Sequence, residues 1–242
     1  MNSAMSTATC SCTRSGRPVS EPEHRGDLDP LSWADTAVTY DVVAERYAET
    51  FVGELAYKPF DRDLLSRFAL AVGPGSSIVR PVCDLGCGPG HIGAYLSARG
   101  VDVVGIDLSA GMVAQARRSF PDLQFTHGDM TALDLPDGAW AGIVCFYALI
   151  HLPRSRVPLA LAEMYRTMVS GGGLLLSAHG GVGSLHATEM LEHAVSLDAT
   201  LFSLPELVEL TEAAGFAVTE AHERQPLDEE LPTQRLYVWA TS

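Results

Sequence analysis

The chain has 242 residues, with 30 acidic and 16 basic side chains and a net charge of −14 at neutral pH. Apolar residues make up 47% and charged residues 19%, which excludes a chain disordered overall, and at roughly 150 residues per domain the length allows one large domain or two small ones. Lys58 is the sole lysine, and so acidic a surface repels polyphosphate, which disfavours nucleic-acid and anionic-membrane partners.

The cysteines at 10, 12, 83, 87 and 145 are odd in number and form no CxxC pair. They suggest neither a disulfide framework nor a zinc site, and they fit a reducing compartment. Residues 1–30 mix Ser, Thr, Arg, Pro and Glu without periodicity, which predicts a disordered tail and no signal peptide. The longest apolar run, Ala141 to Ile150, falls far short of the ~20 residues of a membrane span. A soluble cytoplasmic protein is expected, monomer or homodimer.

Residues 31–75 read as a helical cap. Val38, Val42, Val43 and Tyr47 recur at helical intervals between Thr36 and Thr50, with Tyr40, Ala44 and Tyr47 on an adjacent stripe. A second helix runs Asp61 to Val72 and stops at Gly73-Pro74-Gly75. Residues 76–242 then alternate. Strands are predicted at Val79–Leu85, Val101–Asp107, Leu123–His127, Ala139–Tyr147 and Gly173–His179. Helices fall between them: one ends at Arg99, one is capped by Ser109 and runs to Ser119, and one spans Ser155 to Val169 with Pro158 in its first turn. This is the pattern of right-handed βαβ units and a parallel sheet with helices on both faces. After a capping box at Ser203-x-x-Glu206, strands near Phe216–Glu223 and Gln234–Ala240 are joined by a stretch too short for a crossover helix, so they must be antiparallel.

The chemistry concentrates in Cys83-Asp84-Leu85-Gly86-Cys87-Gly88-Pro89-Gly90, where the first strand of the alternation turns into a helix. Glycines there let the backbone approach a ligand closely, beyond the carboxyl ends of the strands. Asp107 ends the next strand, where a carboxylate can accept both hydroxyls of a ribose. The spacing is not Gly-x-Gly-x-x-Gly, because position 91 is His. Asp84 beside the loop would repel a pyrophosphate but suits a ligand bearing an ammonium and a sulfonium.

Val82–Gly90, Gly105-Ile106-Asp107-Leu108-Ser109, Gly128-Asp129-Met130 and Gly171-Gly172-Gly173 together resemble the class I S-adenosylmethionine-dependent methyltransferase family. The stretch Tyr40-Asp41-Val42-Val43-Ala44-Glu45-Arg46-Tyr47 is similar to the opening helix of its small stand-alone bacterial members, and the likeness covers about residues 36–242. The resemblance implies a Rossmann-like, doubly wound α/β fold: a seven-stranded sheet, mostly parallel, with an antiparallel C-terminal strand and an N-terminal helical cap. It implies S-adenosyl-L-methionine as cofactor and S-adenosyl-L-homocysteine as product, with no metal. By that likeness Asp84, Gly86 and Gly88 hold the methionine end, and Asp107 takes the ribose with Leu108 and Met112 nearby. Asp129 and Met130 take the adenine, while Tyr40 and Tyr47 close over the cofactor and reach its carboxylate.

Methyl transfer needs an acceptor held in line and shielded from water. The acceptor is expected beyond the strand ending at Phe146-Tyr147, which makes Tyr147 and His151 candidate catalytic groups, His151 as a base. Loop orientation is the alternative role for His151. His179 follows the fifth strand, and His186, Glu189 and His193 fall at helical spacing, a lid insertion near 180–197 with His186 as a further catalytic candidate or else a solvated face. The residues after the fourth strand lack the signatures of nucleic-acid amino-methylating, metal-dependent catechol and protein arginine enzymes, which leaves a small organic acceptor. Transfer to O or N, transfer to a ring carbon, and a cyclase or rearrangement catalyst that merely binds the cofactor all remain open.

Overall fold

A computed structural model describes residues 23–26, 34–73, 75–76 and 79–242. In chain order the elements are β1 (Glu23–Arg25), α1 (Ala34–Phe51), α2 (Pro59–Val72), β2 (Val82–Leu85), α3 (His91–Ser97), β3 (Val103–Asp107), α4 (Ala110–Ser119), β4 (Gln124–His127) and β5 (Trp140–Phe146). There follow α5 (Val157–Thr167), β6 (Met168–Gly180), β7 (Ser184–Met190), β8 (His193–Thr200), α6 (Leu204–Ala213), β9 (Ala217–Arg224) and β10 (Gln234–Thr241).

Seven strands among the described residues form the central sheet in the order β4-β3-β2-β5-β6-β10-β9. β2 to β6 pair in parallel, whereas β10 runs antiparallel to both β6 and β9. The expected mostly parallel sheet with an antiparallel C-terminal strand is the one observed. Its central strands are buried on both faces, as their unbroken apolar runs require. One face packs α5 and α6 through Val157, Leu161, Met164 and Leu207; the other packs α2 and α3 through Leu64, Phe68, Ile92 and Leu96. The Ser109 cap and the Ser203/Glu206 capping box form as the sequence predicts.

Two expectations need correction. The predicted disordered tail, residues 1–30, lies outside the described residues except for 23–26, and there Glu23–Arg25 form a strand paired with Ser184–His186. The open edge of β7 supplies backbone partners that a polar segment takes without any apolar periodicity. The shared helical face of His186, Glu189 and His193 is also absent: residues 184–200 form the antiparallel hairpin β7–β8, which sets His186 opposite Asp198. Leu191 and Glu192 make its two-residue turn, both at positive φ (52° and 68°), a conformation usually signalled by Asn-Gly.

The hairpin packs on α1, where Val43 and Ala44 meet Met112, Ala187, Met190 and Leu197. In the sheet, Phe125 lies against Gly105, where a Cβ would come within 2.4 Å of its ring. Gly105→Ala is therefore expected to cost about 1–3 kcal/mol of stability by overpacking, measurable as a lower midpoint in urea unfolding.

Candidate active site

The sheet order reverses between β2 and β5, and the carboxyl ends of β2, β3 and β5 open there into a cavity continuous with solvent. The glycine loop forms one side. Gly86 (φ 72°) and Gly88 (φ 51°) hold left-handed turns that an L side chain rarely adopts. A Cβ on Gly86 would strike that of Ala148 at 2.1 Å, while one on Gly88 would meet nothing within 4 Å and point into open space.

Asp107 fixes this loop. Its Oδ2 accepts the Gly88 N–H at 2.7 Å and its Oδ1 the Ser109 N–H at 2.8 Å. Ser109 in turn donates its hydroxyl to Asp41 Oδ1 (2.6 Å), which also accepts the Gly111 N–H (2.7 Å), so α1 is tied to the start of α4. Burial raises the Asp107 carboxyl above the usual range, and the two N–H donors oppose that rise. Asp84, 1% exposed, accepts the Gly93 N–H at 2.8 Å, and burial pushes it up to about 7. Asp129 accepts the backbone N–H and hydroxyl of Thr131, both at 2.8 Å. Across from them His91 meets Glu54 through Nε2 (3.1 Å), which leaves its buried Nδ1 without a partner among the described residues.

At the end of β5 the backbone of Tyr147 turns left-handed (φ 53°), a strained state for a tyrosine that sets its ring along the cavity and against His179 at 5.1 Å. Tyr237 donates to Asp61 and accepts from Arg224 Nε, so the Tyr147 hydroxyl, 3.0 Å from that of Tyr237, must donate to it. Behind lies a buried ion network in which Lys58 pairs Glu54 at 2.8 Å and Glu230 at 3.5 Å. His151 sits between Tyr40, its Nε2 2.8 Å from the tyrosine hydroxyl, and the Asp198 carbonyl, 2.9 Å from its Nδ1. Burial lowers the His151 imidazole, which keeps it neutral at neutral pH.

Tyr40, Tyr47, Asp84, Gly86, Gly88, Asp107, Leu108, Met112, Asp129, Met130, Tyr147 and His151 thus share one cavity. His186 does not line it; its Nδ1 lies 2.7 Å from Asp198 Oδ1. His179 is also set back, held by Thr233 at 2.8 Å. Sequence reasoning missed Glu54, His91 and Asp198: Glu54 and His91 meet across 37 residues, and Asp198 meets His151 across 47 and His186 across the hairpin. Among the described residues there is no His, Cys, Asp and Glu cluster able to hold a metal ion, and no helix long and apolar enough to cross a membrane.

The native Asp84 carboxyl keeps its proton up to about pH 7, whereas the unfolded chain releases it near 3.8. The folded state therefore binds more protons between those values, and this group's contribution to stability falls as pH rises through them. Asp84→Asn should flatten that part of the profile; an unchanged slope from pH 4 to 7 in urea titrations would count against a protonated native Asp84.

Residues 82–172 match the family model described as "Methyltransferase domain". A demethylmenaquinone methyltransferase from Beutenbergia cavernae is 36% identical over 156 residues, covering 64% of this chain and 61% of that protein. A malonyl-[acyl-carrier protein] O-methyltransferase from Serratia marcescens is 32% identical over 148 residues, 61% of this chain and 56% of that one. The chain thus spans about three fifths of the length of these relatives. Among solved structures, the magnesium protoporphyrin IX methyltransferase of Synechocystis with bound S-adenosylmethionine superposes with a TM-score of 0.65 at 17% identity, covering 90% of this chain and all of that one. Residues 82–172 thus match a methyltransferase domain, carried on the sheet order, glycine loop and flanking acids that the resemblance to the class I S-adenosylmethionine-dependent methyltransferases implied.

Proposed function

We propose that the protein transfers a methyl group from S-adenosylmethionine to an uncharged small molecule carrying a hydroxyl or amine. The observation that carries this reading is the gathering of Asp84, Asp107 and Asp129 around an open glycine loop. The cavity fits the cofactor: space beyond Gly88 admits it, and the unpartnered His91 Nδ1 and the buried Asp84 carboxyl suit a donor such as its ammonium. When bound, the cofactor supplies an electrophilic methyl group on a positive sulfonium. Asp107 would hold the ribose hydroxyls, with Leu108 and Met112 beside it, and Asp129 the adenine amino group, with Met130 against the ring.

The acceptor side supports an uncharged substrate. Among the described residues no Lys or Arg side chain lines the cavity to hold a carboxylate, which suits an acceptor without one. Tyr147 and Tyr40 commit their protons to partners behind them, so both offer lone pairs, which favours a substrate that donates a hydrogen bond. His151 would serve as base, and enclosure by α1 and the hairpin would exclude water.

Calorimetry and product mass test the reading. The protein should bind S-adenosylhomocysteine saturably, and Asp107→Ala should weaken that binding by about 1.5–3 kcal/mol, roughly 10–150-fold. The product should be heavier than its precursor by one methylene unit; an isomer of unchanged mass would instead indicate a rearrangement catalyst. For oxygen or nitrogen transfer, His151→Ala should slow turnover about 10²–10⁴-fold, whereas a change below twofold would point to a ring carbon.

A further inference from the structure

The hydrogen bonds around His151 determine where its proton sits. A backbone carbonyl can only accept, so the Asp198 oxygen 2.9 Å away requires that Nδ1 carry the hydrogen. The neutral ring then presents a bare lone pair at Nε2, and the Tyr40 hydroxyl 2.8 Å from it must donate. Tyr40 and His151 both line the cavity and are half-buried. The arrangement is braced from behind. Asp198 stands opposite His186 in the β7–β8 register, and its carboxylate is 2.7 Å from the His186 ring.

We propose that Tyr40 is a proton relay: it takes the proton of a hydroxyl-bearing acceptor and passes its own to Nε2 of His151, whose protonated Nδ1 is held by the Asp198 carbonyl. This rests on the methyl-transfer reading and gives Tyr40 a role beyond closing over the cofactor. The acceptor O–H bond breaks as its proton moves to the Tyr40 oxygen, while the Tyr40 proton moves to Nε2. The acceptor oxygen's electron pair forms the bond to the methyl carbon, and the carbon–sulfur pair stays on sulfur as a neutral thioether. The single positive charge that began on the sulfonium ends on the His151 imidazolium, where the Asp198 carbonyl stabilises it.

The groups facing His151 suit a base. Tyr40 comes from α1, Asp198 and His186 from the hairpin, and His179 from β6 with Tyr147 stacked on it. Burial, with Arg235 and Lys58 nearby, lowers the His179 imidazole, so that ring adds no positive charge beside His151. Tyr40 also stacks edge-on against Tyr47 and His151, at 5.7 and 5.2 Å between centroids, which fixes its ring. Replacing it by phenylalanine keeps that packing and deletes only the relay oxygen.

Two measurements test this without a known substrate. Long-range proton–nitrogen NMR on the wild-type protein should find His151 protonated at Nδ1 and bare at Nε2; the opposite tautomer overturns the relay. With the wild-type S-adenosylhomocysteine complex, 2-naphthol should bind at least fivefold more tightly than 2-methoxynaphthalene, and Tyr40→Phe should erase the difference. Equal affinity of the two probes for wild type, absent binding included, overturns the proposal. If wild type fails to bind S-adenosylhomocysteine at all, the methyl-transfer reading fails; if it binds and the tautomer or probe result is adverse, the relay alone fails.

Discussion

The carboxylate of Asp107 joins three parts of the molecule that the chain supplies separately. One oxygen holds the glycine loop through Gly88, the other holds the entry to α4 through Ser109, and Ser109 passes the connection to Asp41 of the cap helix. The loop conformation, the end of β3 and the seat of α1 therefore depend on one another. A half-buried acid satisfied by backbone N–H groups is costly to leave unpaired, so the arrangement is specified sharply. On the proposed reading the same acid would also take the cofactor's ribose, which would couple assembly of the cavity to recognition of its ligand.

Around that anchor the cavity divides by polarity. Its cofactor side is acidic and buried, which raises Asp84 and Asp107 above their ordinary range and suits a cationic ligand that would restore their charge. Its acceptor side is aromatic, and the directions of its hydrogen bonds are set from outside. Asp61 settles the orientation of Tyr237 and hence Tyr147; the Asp198 carbonyl settles that of His151 and hence Tyr40. Acceptors at the far ends of both chains take the tyrosine protons, which on the proposed reading leaves the tyrosine lone pairs free for the substrate.

The hairpin shows how a short connection controls the site from a distance. β7 and β8 do not line the cavity, yet one backbone carbonyl of β8 fixes the imidazole that does. The hairpin is held against α1 by Ala187, Met190 and Leu197 and gains a third strand from Glu23–Arg25, so movement of the cap and the orientation of His151 are linked.

Much of this was legible in one dimension. Alternating apolar runs and helices dictated a parallel sheet, the short link before Gln234 dictated an antiparallel end, and the glycine loop with Asp107 located the cavity, because each depends on near neighbours in the chain. The hairpin was not legible: its turn uses Leu191 and Glu192 at positive φ, and three polar residues at helical intervals imitate a helix face when nothing local decides the period. Nor could spacing reveal that Lys58 is buried between Glu54 and Glu230, or that His186 serves Asp198 rather than the cavity. Sequence alone determined which backbone could form and where its ligand edge lies. Only the tertiary structure decided which way the site's protons point, because that depends on acceptors brought together from α2, β8 and β10, far apart in the chain.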